Sequence, residues 1–258
     1  MVKAAFFDID GTLFSHRSNS VPASTLAALH RLRDRGVRIF LATGRSKSVL
    51  EDLPPLRDLP WDGAITLNGA YCYDHELLIH HDPIPREDIC ALLEHLDRHP
   101  TPCAFIEADR TYMNYYCEQV YRIHAAIHTP LLPLGDLERG KSQPVYQVLL
   151  YRNEQEPELR PPMPHSRFAQ WHNGGWDVFS ATAGKAAGIR KILAHYHISR
   201  SDAIAFGDAE NDLDMFGAVR TSVAMGNAAP EVKAAASHVT AHIDDDGIFK
   251  ALTHLGLI

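Results

Sequence analysis

The sequence predicts an α/β protein, with a three-layer core around a parallel sheet and an inserted α+β domain. Two observations favour this prediction. Short apolar runs alternate with helix-length amphipathic segments up to residue 82 and again after Ala183, which is typical of strands joined by crossover helices. Between these regions prolines cluster and the apolar runs follow one another more directly. We therefore expect mostly antiparallel strands in the middle of the chain.

The first element is a strand that runs straight into two aspartates. Its apolar residues, 4–7, suit a central parallel strand that is covered on both faces. Asp8 and Asp10 follow, and Gly11 ends the segment. Acids are costly to bury without a partner, and a cation is an obvious one. Taken alone, the segment is equally compatible with a strand that meets an ordinary polar turn.

The next elements continue the alternation of helix and strand. Proline in the first turn and glycine just past the end are typical boundaries of a helix. The predicted elements are a helix from Pro22 to Gly36, a strand at 37–42, a helix at about 46–53 and a strand at 63–67.

The inserted domain is predicted over 83–182, which leaves 1–82 and 183–258 as one discontinuous core. Pro83 and Pro85 mark its beginning. Its predicted elements are an amphipathic helix at 86–99, strands at 146–151, 167–172 and 176–180, a proline-rich loop at 157–164 and a turn at Gly174-Gly175.

The alternation resumes in the last third of the chain. Its predicted elements are a helix at 185–196, a strand at 203–206, a strand at 222–225 and a helix at 248–255. The first of these strands ends in Gly207-Asp208 and the second in Gly226-Asn227. Polar residues therefore follow the strands here, as they do in the first region.

A candidate site follows from this placement, because ligands of open α/β sheets bind beyond the carboxyl ends of the strands. Asp8, Asp10, Thr43 and Asp208 all lie at such ends, and Lys185 begins a helix. Carboxylates are hard ligands that suit Mg²⁺, with water and phosphate oxygens completing the octahedron. Lysine and neutral donors would offset the charge of a phosphoryl group. The sequence therefore predicts phosphoryl-transfer chemistry, with one aspartate attacking and the other moving the proton.

Four motifs in order resemble those of the haloacid dehalogenase superfamily. They are Asp8-x-Asp10-Gly11-Thr12, Thr43-Gly44-Arg45, Lys185 and Gly207-Asp208-x-x-Asn211-Asp212. Asn68-Gly69-Ala70 and the size of the insertion resemble the Cof-type phosphatases with a C2 cap. The resemblance implies a Rossmann-like core and a cap domain. One departure is Ala186, since family members often have glycine after the lysine of the third motif.

The resemblance also implies roles for individual residues. Those implied to be catalytic are Asp8 as the nucleophile, Asp10 as the general acid and base, and Lys185. Those implied to bind phosphate or substrate are Thr43, Gly44, Arg45, Asn68 and Asn211, although Arg45 and Asn68 are equally compatible with tying the cap to the core. Those implied to bind Mg²⁺ are Asp8, Asp10 through its carbonyl, Asp208 and Asp212.

Composition narrows the choice of partners. The 258 residues carry a net charge of −7, which argues against a nucleic-acid binder with a basic face. No apolar run is long enough to cross a membrane, and the N-terminus does not resemble a signal peptide. The four cysteines, Cys72, Cys90, Cys103 and Cys117, form no metal or disulfide pattern. We therefore expect a cytoplasmic protein, and the oligomeric state is left open.

The predicted function is a Mg²⁺-dependent phosphatase that acts on a small phosphorylated metabolite, such as a sugar phosphate or a phosphorylated cofactor. A phosphomutase or phosphotransferase on the same scaffold is an alternative, because it differs only in what meets the phosphoenzyme. A signalling receiver that is phosphorylated on aspartate is a second alternative. Receivers are shorter than this chain and lack an insertion. The two aspartates at the end of one strand also favour the enzyme.

Overall fold

The computed structural model describes residues 1–51, 56–75, 77–126, 129–151, 162–172 and 174–258. The strands are β1 (Ala4–Phe7), β2 (Arg38–Ala42), β3 (Gly63–Thr66), β4 (Tyr71–Asp74), β5 (Leu77–His81), β6 (Cys103–Ile106), β7 (Thr111–Met113), β8 (Gln147–Tyr151), β9 (Ser166–His172), β10 (Gly175–Ser180), β11 (Ala203–Gly207), β12 (Thr221–Ala224) and β13 (His238–Val239). The α-helices are α1 (Ala23–Asp34), α2 (Lys47–Glu51), α3 (Arg86–Arg98), α4 (Glu118–Ala126), α5 (Lys185–His195), α6 (Leu213–Phe216), α7 (Pro230–Ala235) and α8 (Gly247–His254).

The chain divides into two compact units. The first comprises Met1–Arg45, Val49–His81 and Gly184–Ile258, and the second comprises Ser46–Ser48 and Asp82–Ala183. The first unit is thus assembled from both ends of the sequence. The sequence-based boundaries at 82 and 183 remain a prediction of where functional domains begin and end.

A mixed sheet forms the centre of the first unit. Within the described residues its strand order is β13-β12-β11-β1-β2-β3-β4-β5. Neighbours from β13 to β3 are parallel, whereas β4 and β5 add an antiparallel edge. The predicted α/β class with a parallel sheet is confirmed, and the antiparallel edge is an addition that the sequence did not indicate. A short 3-10 turn at Leu67–Gly69 reverses the chain there, and this allows β4 to pair with β3 directly.

Two apolar layers cover the sheet and explain why β1 is uniformly hydrophobic. Ala5 and Phe7 belong to a buried cluster that also includes residues of α1 and α8. Ala4 and Phe6 belong to a second cluster that includes residues of α5. Successive side chains of a strand point to opposite faces, so a strand covered by helices on both sides needs apolar residues at every position. The arrangement is the predicted three-layer core.

Within its described residues, the second unit is an α+β fold that contains one five-stranded sheet and the helices α3 and α4. The order of its strands in the described part is β7-β6-β8-β10-β9, and every pair is antiparallel. Ile89 and Leu92 of α3 pack with Phe105, Val148 and Val178 from three strands. The predicted antiparallel α+β insertion is therefore present.

Several elements of the second unit escaped the sequence prediction. The pattern did not indicate β6, β7 or α4. The two strands have only four and three residues, which is too short to show a period of their own. Of the predicted proline-rich loop, 157–161 lies outside the described residues. In the predicted hairpin, Gly174 has φ of +87°, which suits a turn. Residue 173 lies outside the described residues.

Candidate active site

The candidate site lies at the carboxyl edge of the parallel sheet, where β11, β1 and β2 are neighbours. Asp8 follows β1 directly, and its backbone N–H continues the ladder by donating to the carbonyl of Phe206 at 3.0 Å. Asp208 follows β11 and Thr43 follows β2. Because adjacent parallel strands end at the same edge, residues far apart in sequence meet there.

Lys185 joins two of the acids in the interior. Its Nζ donates to Asp8 Oδ1 and to Asp212 Oδ1, both at 2.6 Å, and the lysine is only 1% exposed. Burial by itself lowers the pKa of Lys185, but the two carboxylates raise it well above its ordinary value. Burial raises the pKa of Asp8, and Lys185 counteracts part of that rise. The ammonium is therefore fixed in its charged form beside Asp8.

Asp208 is held by side chains from two loops. Thr12 Oγ1 donates to Asp208 Oδ1 at 2.8 Å, and Asn227 Nδ2 lies 3.4 Å from Oδ2. Burial raises the pKa of Asp208 to about 6, against the lowering effect of the Thr12 hydrogen bond. Gly11 has φ of +81°, and a Cβ built there would lie 2.1 Å from Asp208 Oδ2. Glycine is thus required at position 11 both by backbone conformation and by the space that Asp208 occupies.

Asp212 uses both carboxylate oxygens within the protein. Oδ1 accepts from Lys185, and Oδ2 accepts from the backbone N–H groups of Asp208 and Ala209 at 2.9 and 3.0 Å. The residue is fully buried. A Cβ at Gly207 would come within 2.5 Å of Asp212 Cγ. Asp212 therefore fixes the position of the lysine and the course of the loop that carries Asp208.

The charge of this cluster fits a divalent cation. Asp8, Asp208 and Asp212 each offer an oxygen within 4.8 Å of the others, and carboxylate oxygens are the ligands that Mg²⁺ prefers. When all three are ionised, three negative charges face the single positive charge of Lys185. Like charges this close repel by several kcal/mol, about 4 at a separation of ~4 Å. A divalent ion would neutralise the remainder.

Asp10 is held by a different cation. Arg45 Nε donates to Asp10 Oδ2 at 2.8 Å and Nη2 donates to Oδ1 at 2.6 Å. His16 Nε2 lies 3.3 Å from the same Oδ1. Burial raises the pKa of Asp10, but the bonds from Arg45 and His16 outweigh it and hold the pKa far below its usual range. Asp10 is therefore ionised in this arrangement.

The remaining predicted residues form a chain of contacts beside Asp10. Thr43 is buried, its Oγ1 accepts from the backbone N–H of Arg45 at 3.1 Å, and its carbonyl accepts from the Asn68 N–H at 3.0 Å. Asn68 has φ of +53°. Asn211 Nδ2 donates to Asn68 Oδ1 at 3.4 Å. A Cβ at Gly44 would lie 3.1 Å from that oxygen, so the loop after β2 approaches Asn68 closely.

Three residues of the site were not among the predicted ones. Thr12 appears in the first motif and Asn227 at the end of a predicted strand, but neither was given a role, and His16 was not singled out. Asn227 Nδ2 also donates to the carbonyl of Gly11 at 2.8 Å. It follows β12 at the same edge of the sheet, so the rule that found Asp208 applies to it as well. No sequence signal marks His16, which reaches Asp10 only through the fold of the intervening loop.

The family comparison agrees with this geometry. A sequence profile described as haloacid dehalogenase-like hydrolase matches residues 5–252. The chain belongs to this family. The predicted family is therefore confirmed for the haloacid dehalogenase-like hydrolases, and the match spans the inserted unit as well as the core.

Relatives within the family include named phosphatases. The chain is 32% identical over 266 residues to the "Putative phosphatase YkrA" of Bacillus subtilis (strain 168), covering 99% of this chain and 98% of the relative. It is 28% identical over 275 residues to the "HMP-PP phosphatase" of Escherichia coli O1:K1 / APEC, covering 98% and 96%. The matches extend over nearly the full length of this chain and of both relatives.

Solved haloacid dehalogenase structures resemble the whole chain. One is described as the "HAD Subclass IIB Sugar Phosphatase BT4131", with a TM-score of 0.89, 37% identity and complete coverage of both chains. Another is BT1666 from Bacteroides thetaiotaomicron, with a TM-score of 0.90, 32% identity and coverage of 100% and 96%. The predicted core with an inserted domain is confirmed by these neighbours. None of the described helices has both the length and the apolar character that crossing a bilayer requires.

Proposed function

We propose that this chain is a Mg²⁺-dependent phosphatase that hydrolyses phosphomonoesters of small metabolites through an aspartyl-phosphate on Asp8. The observation that carries the proposal is the buried contact of Lys185 with Asp8. Oxygens of Asp208 and Asp212 lie within 4.8 Å of an Asp8 oxygen, close enough for one metal ion to bind several of them. Membership of the hydrolase family and the relatives named as phosphatases support the reaction class. A buried excess of negative charge at strand ends fits phosphoryl transfer, which depends mainly on positioning and charge neutralisation.

The metal ligands that we propose are Asp8, Asp208 and the carbonyl of Asp10. Asp212 also lies within the acid cluster, but it is fully buried, whereas Asp208 is partly exposed. Its oxygens accept three hydrogen bonds, from Lys185 and from two backbone N–H groups. We therefore assign Asp212 to positioning Lys185 and the Asp208 loop. When bound, Mg²⁺ would neutralise the nucleophile and the phosphoryl group together.

Asp8 is the proposed nucleophile. The described hydrogen bonds of its carboxylate involve Oδ1, which points to Oδ2 as the attacking atom. Oδ2 would form a bond to phosphorus while the bond from phosphorus to the ester oxygen breaks. Lys185 would stabilise the charge that develops on the transferred group, because it stays protonated in the interior.

Asp10 is the proposed general acid and base. The leaving oxygen would take a proton from the Asp10 carboxyl group, and in the second half-reaction Asp10 would remove a proton from the attacking water. Hydrolysis then returns Asp8 as a free carboxylate and releases phosphate. Arg45 and His16 keep Asp10 ionised. Their contacts must therefore loosen, and Asp10 must take up a proton from solvent, before it can protonate the leaving oxygen.

The proposed phosphate-binding groups are Thr43, Gly44 and Arg45. Arginine forms paired hydrogen bonds with phosphate as well as with carboxylate, so a substrate phosphate would compete with Asp10 for Arg45. We assign Asn68 and Asn211 to support of this loop, because Asn211 donates to Asn68 and Asn68 donates to the Thr43 carbonyl.

The substrate class within phosphomonoesters is part of the proposal. The relatives' names include a sugar phosphatase, a "5-amino-6-(5-phospho-D-ribitylamino)uracil phosphatase" and an "HMP-PP phosphatase". We propose a sugar phosphate or a phosphorylated cofactor as the substrate class of this chain, with 83–182 acting as the cap domain. We further propose a cytoplasmic location, which is supported by the four free cysteines because thiols stay reduced there.

The test is a panel of sugar phosphates and phosphorylated cofactor precursors, assayed for phosphate release with and without Mg²⁺. Asp8→Asn should lower kcat by about four orders of magnitude, as expected for loss of a covalent nucleophile. Asp34→Asn is the matched control, because Asp34 is an exposed aspartate at the end of α1. If Asp8→Asn keeps full activity, the nucleophile is wrongly assigned. If turnover requires an added acceptor and releases no phosphate, the protein is a phosphotransferase.

A further inference from the structure

A second group of metal-binding side chains lies in the second unit. Glu87 and Asp88 belong to the first turn of α3, and His165 lies in the loop before β9. Each offers one ligand atom, and the three atoms lie within 4.8 Å of one another. The predicted phosphatase chemistry does not use these residues.

Asp88 brings a buried carboxylate to this group, and one of its two oxygens lacks a hydrogen-bond partner among the described residues. Asp88 is 1% exposed. Its Oδ2 accepts from the backbone N–H of His165 at 3.0 Å and from Ser166 Oγ at 2.6 Å. Its Oδ1 is buried and has no hydrogen-bond partner among the described residues. A buried carboxylate oxygen without a partner is unfavourable, and a bound cation would satisfy it.

The neighbouring charges increase the need for a cation. His165 Nε2 lies 3.0 Å from Glu87 Oε1, so the second carboxylate of the group contacts the imidazole, while Asp88 contacts the backbone N–H of the same residue. The amino-terminal end of a helix carries a partial positive charge of about half a unit. That charge favours the two acids of α3 but is too small to balance both of them. A divalent ion would supply the positive charge that the helix end does not provide.

We propose that Glu87, Asp88 and His165 bind a divalent transition-metal ion, with Zn²⁺ as the best fit. Zn²⁺ binds imidazole nitrogen together with carboxylate oxygen, and three protein ligands with one water give its usual tetrahedral set. Mg²⁺ prefers oxygen ligands alone, so the imidazole selects against it. The exposed side chains of Glu87 and His165 leave the ion a path from solvent.

The ion would have a structural role. It would join the start of α3 to the loop before β9, which the Asp88 hydrogen bonds already connect. A ligand that binds only the folded chain raises the melting temperature. This proposal does not depend on the phosphatase assignment, because the acids of the candidate active site belong to the other unit.

The test is calorimetric titration of the intact, metal-stripped chain with Zn²⁺ in saturating Mg²⁺, together with Co²⁺ absorption spectra. We expect one Zn²⁺ site that raises the melting temperature. His165→Gln should weaken that site at least about tenfold, as loss of a ligand does, with phosphatase activity in Mg²⁺ unchanged. His99→Gln is the matched control, since it removes another exposed histidine of the same unit.

Asp208→Asn separates this site from the active site. The second-unit site should keep its affinity for Zn²⁺ in this variant. The proposal is wrong if His165→Gln binds Zn²⁺ as tightly as the unaltered chain. It is equally wrong if the unaltered chain binds none in Mg²⁺, or if Asp208→Asn abolishes all Zn²⁺ binding.

Discussion

Each unit contains a network of charged side chains around a buried carboxylate, and the two networks differ in charge balance. In the first unit, Lys185 is the cation among Asp8, Asp208 and Asp212. In the second unit, the single carboxylate of Glu107 accepts from Arg139 Nε and Nη2 at 2.8 and 3.0 Å. Tyr112 also donates to Glu107, at 2.8 Å. One network has excess negative charge, and the other has one charge of each sign.

The difference separates a reactive site from a structural one. A balanced, fully hydrogen-bonded pair holds strands and loops in place and needs nothing further. An unbalanced cluster stays fully ionised only if an external charge completes it, because like charges at close range raise the pKa of the carboxyl groups. In the first unit, the excess buried charge therefore indicates where a metal ion and a substrate phosphate would bind.

Among the variants that compare the two networks, Lys185→Met should have the largest effect, because it removes the cation from the unbalanced cluster. Activity should fall by about 10² to 10³, as when one preorganised donor to the transition state is lost. The metal-free protein should lose about 3–5 kcal/mol of stability, because two buried carboxylates lose their partner. Phosphate-release assays and denaturant titrations measure the two effects. Lys191→Met, an exposed lysine on the same helix, should change neither. Retention of more than a tenth of the activity would contradict the role of Lys185.

An intermediate effect concerns pH and Mg²⁺. Asp208 has a pKa of about 6, above its ordinary value of 3.8. Protons and Mg²⁺ therefore compete for its carboxylate between about pH 5 and pH 7. The affinity for Mg²⁺ should fall about tenfold from pH 7 to pH 5, measured by calorimetry. The stability of the metal-free chain should change in the opposite direction. Because the pKa of Asp208 is higher in the folded state, the free energy of unfolding should rise as the pH falls from about 6 toward 3.8.

Thr12→Val sharpens the same measurement. The Thr12 hydroxyl donates to Asp208 and lowers its pKa, so its removal should move the midpoint of Mg²⁺ binding to higher pH. An affinity that stays constant across this range in the unaltered chain would remove Asp208 from the ligand set.

The smallest effect on activity should come from the balanced network. Glu107→Gln replaces the carboxylate that Arg139 and Tyr112 share, so the melting temperature should fall by several degrees while kcat/KM stays within about twofold. Thermal unfolding and steady-state assays test this contrast. Glu94→Gln, at an exposed position of the same unit, should leave both unchanged. A large loss of kcat/KM in Glu107→Gln would mean that the second network takes part in the reaction.

Much of the first unit was predictable because its signals are local. Uniformly apolar strands such as β1 occur where helices cover both faces of the sheet. The polar residues just beyond the ends of such strands can be identified from the sequence alone. The antiparallel pair β4 and β5 was not foreseen, since it depends on the turn at Leu67–Gly69. Short strands of the second unit were missed for lack of a readable period.

The sequence by itself determined the fold class, the family and the acids that line the carboxyl edge of the sheet. These follow from periodicity and from motifs a few residues long. Only the tertiary structure decided which cation each acid meets: Lys185 contacts Asp8 and Asp212, whereas Arg45 and His16 contact Asp10. Hydrogen bonds and Coulomb energies depend on distances of a few ångströms between residues far apart in the chain. The pairings, and the charge left unbalanced by them, therefore exist only once the strands are packed side by side.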